Sequence, residues 1–224
     1  MNNNFLGLPP LRNSYFVLRH GQSQANVQSI IISDPEVGTT SYGLTDTGRR
    51  QVEARLENLP PSFDASLKII SSDFLRATET AAIISAGLAV TGPVCYTEKL
   101  RERFFGELDG GADKRYAEVW ELDSLDPQHS TFSVETTESV VKRTVSLVRE
   151  LEAHYRNSVV LLVAHGDVLQ LLQTAFEAIS PTRHRQLPPL QVAEIRQLIP
   201  APPSHTSQAL LPHHQRQVRQ VRRV

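Results

Sequence analysis

A chain of 224 residues, 40% hydrophobic and 21% charged, has the length and mix of a single globular domain. Its 23 Lys+Arg against 24 Asp+Glu leave a net charge of -1, which offers no bulk electrostatic attraction to nucleic acid or a membrane surface. One cysteine, Cys95, rules out an internal disulfide, fits a reducing, cytoplasmic setting, and reads as a small core residue. No apolar run approaches the roughly 18 residues of a membrane helix. Asn2, Asn3, Asn4 and the Pro9-Pro10 pair do not make a signal peptide, and residues 1–13 are read as an N-terminal extension.

Tyr15-Phe16-Val17-Leu18 predicts the first strand, which stops at Arg19-His20-Gly21. Residues 27–43, with Pro35, Gly38 and Gly43, read as a long loop. Thr45-Asp46 opens a helix on which Val52, Leu56 and Leu59 repeat at helical spacing. Leu67–Ile70 is a second strand. Ser71-Ser72-Asp73 ends it and leads into a helix whose apolar face is expected to hold Leu75, Ala82, Ile83 and Ala86. Val94-Cys95-Tyr96 is a third strand, and 99–127 is mixed. Thr136-Thr137-Glu138 caps a long helix with Val140, Val141, Thr144, Leu147, Val148 and Leu151 on one stripe.

Ser158–Ala164 is the strongest strand, apolar throughout as a doubly buried strand should be. His165-Gly166-Asp167 ends it before a helix with Val168, Leu172, Ala175 and Ile179, and Val192–Leu198 is a last strand. Strands alternating with helices predict an α/β fold over 14–199, a three-layer αβα sandwich with a mostly parallel central sheet. Residues 200–224 hold Arg216, Arg219, Arg222 and Arg223 but no acid and no apolar period, and read as a disordered basic tail. The body is then left with 19 basic and 24 acidic residues. An anion site there must be a local concentration of positive charge.

Ligands of open α/β sheets bind beyond the carboxyl ends of the strands. Three strands end in reactive groups: one in Arg19-His20, one leading through Ser71-Ser72-Asp73 to Arg76, one in His165-Gly166. Two His and two Arg converge on one sheet edge. Arginine presents a planar fork of donors that matches phosphate oxygens. A neutral imidazole, with an ordinary pKa of about 6.5, is a good nucleophile near neutrality. Gly21 and Gly166 are expected to let backbone approach the ligand, and the helix N-termini after these strands add N–H donors. A metal site is disfavoured, since the arginines repel a cation and no HxxxH, CxxC or carboxylate cluster accompanies the histidines.

Leu18-Arg19-His20-Gly21-Gln22-Ser23 with Asn26 resembles the opening motif of the histidine phosphatase superfamily, in its phosphoglycerate mutase-like branch. Leu44–Gly48, Ser71–Thr80, Leu100–Gly106 and Val163–Gly166 match its later blocks in order. The resemblance implies phosphorylation of His20 on Nε2, with Nδ1 bonded to backbone. It implies that Arg19, Arg76 and His165 hold the phosphoryl group, that Glu102 gives a proton to the leaving oxygen and then serves as base, and that Ser23 and Asn26 contact the substrate. No cofactor or metal is implied. Two positions depart from the family pattern: Gln22 stands where many members have Glu, and the segment before Glu138-Ser139 lacks a frequent Gly-Gly.

Three functions fit such a pocket. A phosphatase lets water attack the phosphohistidine. A mutase returns the group to its substrate and must hold a second anionic group. A catalytically silent scaffold would only bind phosphate, which the intact set of five residues argues against. Mutases of the family carry an Arg pair next to a Trp, whereas the neighbours of Trp120 are acidic and only Lys114 and Arg115 are basic nearby. The expected activity is therefore that of a phosphatase, acting on a small phosphorylated substrate.

Overall fold

The computed structural model describes residues 11–201. The expected basic tail, from residue 202 onward, and residues 1–10 of the N-terminal extension lie outside the described residues. Five strands form one sheet: β1 (Ser14–Arg19), β2 (Lys68–Ser71), β3 (Cys95–Tyr96), β4 (Val159–Ala164) and β5 (Ile195–Leu198). Their spatial order is β3-β2-β4-β1-β5. All pairs are parallel except β1 with β5. The uniformly apolar β4 lies at the centre.

Successive side chains of β1 and β4 enter opposite cores, as the period of two demands. Tyr15, Val17, Val160 and Leu162 pack with α6 (Thr137–His154) and α7 (Gly166–Phe176). Phe16, Leu18, Leu161 and Val163 pack with α3 (Asp46–Arg55) and α4 (Leu75–Gly87). The result is the three-layer α/β sandwich. Thr45 caps α3 by accepting from the Gly48 N–H at 3.0 Å, and Thr136 caps α6 by accepting from the Ser139 N–H at 3.0 Å. The whole expected α6 stripe is buried.

Three expectations are corrected. The stretch 27–43 is not loop throughout: α1 (Gln24–Gln28) runs into it and α2 (Pro35–Gly38) lies within it. Reciprocal capping by Ser23 and Asn26 starts the first, and Asp34 with Pro35 at the first helical position starts the second. On α4 the buried face carries Arg76, Ala77, Thr80, Ala81 and Ile84, while Ala82 and Ala86 are exposed. Alanines stand on both sides of this helix, so its apolar pattern carries little contrast from which to read its orientation. Cys95 is exposed, because β3 is a two-residue strand at the edge of the sheet.

A third, smaller cluster joins Ile31 to Phe105, Leu108, Val119 and Val134. It ties the segment after β1 to the 105–134 region, which includes α5 (Tyr116–Leu125). Both regions supply walls to the cleft described next.

Candidate active site

The register sets Arg19 beside Ala164 and Ser71 beside Val163, so the carboxyl ends of β1, β4 and β2 are level. The residues that follow are His20, His165 and Ser72, and they meet above one edge of the sheet. A cleft of ≈ 250 Å³ opens there, with Arg19, His20, Arg76, Glu102, Gly166 and Arg185 among its lining residues.

His20 is 3% exposed. Its Nδ1 lies 2.7 Å from the Gly21 carbonyl, which fixes the proton on Nδ1 and leaves the Nε2 lone pair free. That lone pair accepts from Arg76 Nε at 3.1 Å. The same N–H reaches His165 Nδ1 at 3.2 Å, while His165 Nε2 meets Ser72 Oγ at 3.0 Å. Burial, then the positive charges of Arg76 and Arg19, hold the His20 pKa well below its ordinary value. Burial and Arg76 do the same to His165. Both rings are neutral near pH 7.

Arg76 is buried on α4 and donates through Nη2 to the Ile32 carbonyl at 3.0 Å. Arg19 donates through Nη1 to the Leu190 carbonyl at 2.8 Å. Each guanidinium keeps one buried nitrogen without a partner, Nη1 of Arg76 and Nε of Arg19. A buried donor left unmade costs about 1–3 kcal/mol, so these two are poised for an acceptor. The N-terminus of α7 adds to this, since its N-cap His165 makes no side-chain capping bond.

Glu102 lies beside them with its side chain 9% exposed, its Oε2 3.8 Å from Arg76 Nη2 and 3.9 Å from His165 Nδ1. Burial pushes its carboxyl up to about 7, against the pull of Arg76. At neutral pH it can therefore exist as acid or base, as proton transfer in both directions requires.

The other expected residues divide. Gly166 lines the cleft, and a Cβ there would meet the Arg19 guanidinium at 3.2 Å. Gly21 instead makes room for α3: a Cβ would fall 2.5 Å from the Gly48 carbonyl oxygen, so its close approach is to backbone and not to ligand. Ser23 and Asn26 line the cleft but hold each other, with Ser23 Oγ 3.0 Å from Asn26 Oδ1. Gln22 turns away and accepts from the Thr45 hydroxyl at 2.8 Å. The segment without Gly-Gly still reaches its cap at Thr136, using left-handed backbone at Phe132 and Ser133.

Sequence reasoning missed part of the wall: Ile32, Tyr116, Trp120, Asp167, Gln170 and Arg185. The basic pair near Trp120 does not reach the cleft, and Arg115 pairs with Glu118 at 2.9 Å. The cation over Trp120 comes from Arg185, distant in sequence, with its guanidinium carbon 3.7 Å from the ring centroid. No local pattern around Trp120 could have shown it. Among the described residues no group of three or more His, Cys, Asp or Glu is arranged to hold a metal ion, and no helix is long and apolar enough to cross a membrane.

Comparison with known proteins agrees with this geometry. The family model described as histidine phosphatase superfamily (branch 1) matches residues 15–207. A 2,3-bisphosphoglycerate-dependent phosphoglycerate mutase of Cytophaga hutchinsonii is 29% identical over 173 residues, 74% of this chain and 78% of the relative. The broad-specificity phosphatase YOR283W of Saccharomyces cerevisiae is 27% identical over 168 residues, 70% of this chain and 67% of the relative. The solved structure of a mycobacterial glucosyl-3-phosphoglycerate phosphatase in complex with VO3 is similar with a TM-score of 0.69 and 27% identity, covering 82% of this chain and 91% of that one.

Proposed function

Because the chain belongs to the histidine phosphatase superfamily (branch 1), we propose that it hydrolyses small phosphomonoesters through a phosphohistidine at His20. The observation that carries this reading is the pair of buried, unpartnered guanidinium nitrogens on Arg19 and Arg76 beside a neutral His20 Nε2. Phosphoryl oxygens would complete both arginines and bring phosphorus against the lone pair.

In the first step His20 Nε2 attacks phosphorus and the ester P–O bond breaks. Glu102, as acid, gives its proton to the leaving oxygen. In the second step water attacks phosphorus, the P–N bond breaks, and the Glu102 carboxylate takes the water's proton. Inorganic phosphate leaves with both groups restored. Arg19, Arg76 and His165 hold the transferring group, where preorganised donors act most strongly on developing charge. Asn26 keeps its side-chain N–H groups for substrate while Ser23 fixes its carbonyl. The single, exposed Cys95 supports a reducing, cytoplasmic setting.

The competing reading is phosphoglycerate mutase chemistry, favoured by the cation seated on Trp120. Incubation with 3-phosphoglycerate separates them. Free phosphate is the expected product. Accumulation of 2-phosphoglycerate without phosphate release would assign the mutase, and neither product from any of a panel of phosphomonoesters would leave a binding protein.

A further inference from the structure

Glu102, the acid of the proposed reaction, stands on a stretch of chain, residues 101–105, that belongs to no helix or strand. No backbone ladder sets its angle, so side chains must. Its neighbours are pinned on either side. Arg101 grips Asp73 with Nε at 2.9 Å and Nη2 at 2.6 Å, and Arg103 forms a two-pronged pair with Asp123. The Arg103 backbone N–H donates to Glu102 Oε1 at 3.0 Å. The better acceptor of a neutral carboxyl is its carbonyl oxygen, so this bond keeps the acid proton on Oε2. Oε2 is the oxygen that faces Arg76 and His165. The orientation of the 102–103 peptide therefore decides whether the proton points at the proposed phosphoryl site.

That orientation is held from outside the cleft. Arg143, on α6, donates through Nη1 to the Lys99 carbonyl at 2.7 Å, and its Nη2 lies 3.5 Å from the Glu102 carbonyl. Glu135 aims the guanidinium, accepting from Nε at 2.9 Å and from Nη2 at 3.0 Å. The main chain of Glu135 is tied to the same stretch. Its N–H donates to the Phe104 carbonyl at 2.8 Å, and its carbonyl accepts from Arg103 Nε at 2.7 Å. One pair of residues thus joins α6 to the chain on both sides of Glu102. Arg143 does not line the catalytic cleft; it lines a second hollow of ≈ 350 Å³, whose wall Glu102 shares. Its charge also bears on His165, a second route that a lysine in its place would preserve.

We propose that Arg143, oriented by Glu135, is a positioning residue for Glu102: it fixes the 102–103 peptide so that Oε2 carries its proton toward the leaving oxygen. This rests on the phosphatase reading above for the role of Glu102. A fork of donors is needed, because one side chain must bridge two carbonyls and a carboxylate. A lysine ammonium supplies the charge without that planar geometry. Misplacing a reacting group by about 1 Å can cost on the order of 10²-fold, which is the scale of a general-acid contribution.

The test uses two leaving groups. In Arg143→Met, kcat/KM for glycerol 3-phosphate, whose alkoxide needs an acid, is expected to fall roughly 10–100-fold, while p-nitrophenyl phosphate, which needs none, stays within about 3-fold of wild type. In a Glu102→Gln background the same substitution is expected to cost nothing further on glycerol 3-phosphate, since residues that act through one group are not additive. Arg143→Lys is expected to remain impaired. Glu135→Gln, which keeps the backbone links, shows the same selectivity more weakly and serves if Arg143→Met does not fold. Equal losses on both esters, a loss that adds to that of Glu102→Gln, or full restoration by lysine overturns the proposal. If the wild type hydrolyses no phosphomonoester, the phosphatase reading fails on its own, and amide hydrogen exchange then decides whether Arg143 holds this peptide. The Arg103 N–H is expected to exchange at least about 10-fold faster in Arg143→Met with the β4 amides unchanged. Faster exchange everywhere, or none at Arg103, overturns the proposal.

Discussion

Two buried arginine environments lie close together in this fold and differ in one respect. Arg103 is fully buried and fully satisfied. It forms a two-pronged pair with Asp123 at 2.7 and 2.8 Å, reaches Asp167 at 3.4 Å, and donates through Nε to the Glu135 carbonyl at 2.7 Å. Arg76, one wall away, is nearly as buried yet keeps an unpartnered nitrogen and shares a single N–H between two histidines. Arg19 has the same kind of vacancy. Burial alone therefore does not separate a structural cation from one that serves a ligand. The count of unmet donors does, and under the proposed function it assigns the ligand to Arg19 and Arg76 and architecture to Arg103.

The largest expected effect is on the architectural side. Arg103→Met strands the Asp123 carboxylate, which is also 2.7 Å from His129 Nε2, and should destabilise the fold by about 3–5 kcal/mol in urea unfolding. Adding Asp123→Leu should recover much of that loss, since a buried pair can be replaced by apolar residues of similar size. If Arg103→Met unfolds at the wild-type denaturant concentration, the contrast breaks. Arg76→Gln should do the reverse. Its kcat/KM should fall roughly 10²–10³-fold, while stability is unchanged or raised, because a costly unmet donor is gone.

Ligand linkage sharpens the same comparison. Inorganic phosphate at about 100 times its Kd should stabilise the wild type by about 2.7 kcal/mol, read as a rise in Tm. The rise should shrink sharply in Arg76→Gln and persist in a folded Arg103 variant. An undiminished rise in Arg76→Gln would place phosphate elsewhere.

The smallest effect concerns Glu102. Its carboxyl is raised from 4.5 to about 7 by burial, so the folded protein holds a proton that the unfolded chain has lost between those values. Glu102 therefore contributes stability that declines as pH rises from 4.5 to about 7, and Glu102→Gln should flatten that decline. His20 and His165, held neutral by burial, act in the opposite direction below pH 6.5, which is why the difference between variant and wild type is the quantity to measure. In kinetics, hydrolysis of alkyl phosphates should fall as pH passes about 7, and Glu102→Gln should slow these esters more than p-nitrophenyl phosphate, whose leaving group needs no acid.

Much of this was legible in the chain because it is local. An unbroken apolar run announces β4, and the groups that end β1 and β4 follow directly as His20 and His165. Thr45 and Thr136 mark their helices by capping chemistry. What was illegible depends on distant segments meeting. Nothing near Arg103 in sequence supplies Asp123 or Asp167, so its saturation could not be read. Arg185 reaches Trp120 only through the turn after α7. Cys95 looked like core because its strand pattern hides that β3 is an edge, and the α4 face was misjudged because alanine on both sides leaves helical phase undetermined.

On the proposed function, the unmet donors of Arg19 and Arg76 hold a phosphoryl group on His20 Nε2. Rapid quench of the enzyme with a 32P-labelled phosphomonoester, followed by mapping of the labelled peptide, tests it most directly. Acid-labile, base-stable phosphate is expected on the peptide bearing His20, absent in His20→Ala and reduced in Arg76→Gln. Label that persists in His20→Ala, or that is acid-stable and maps to another residue, would contradict it.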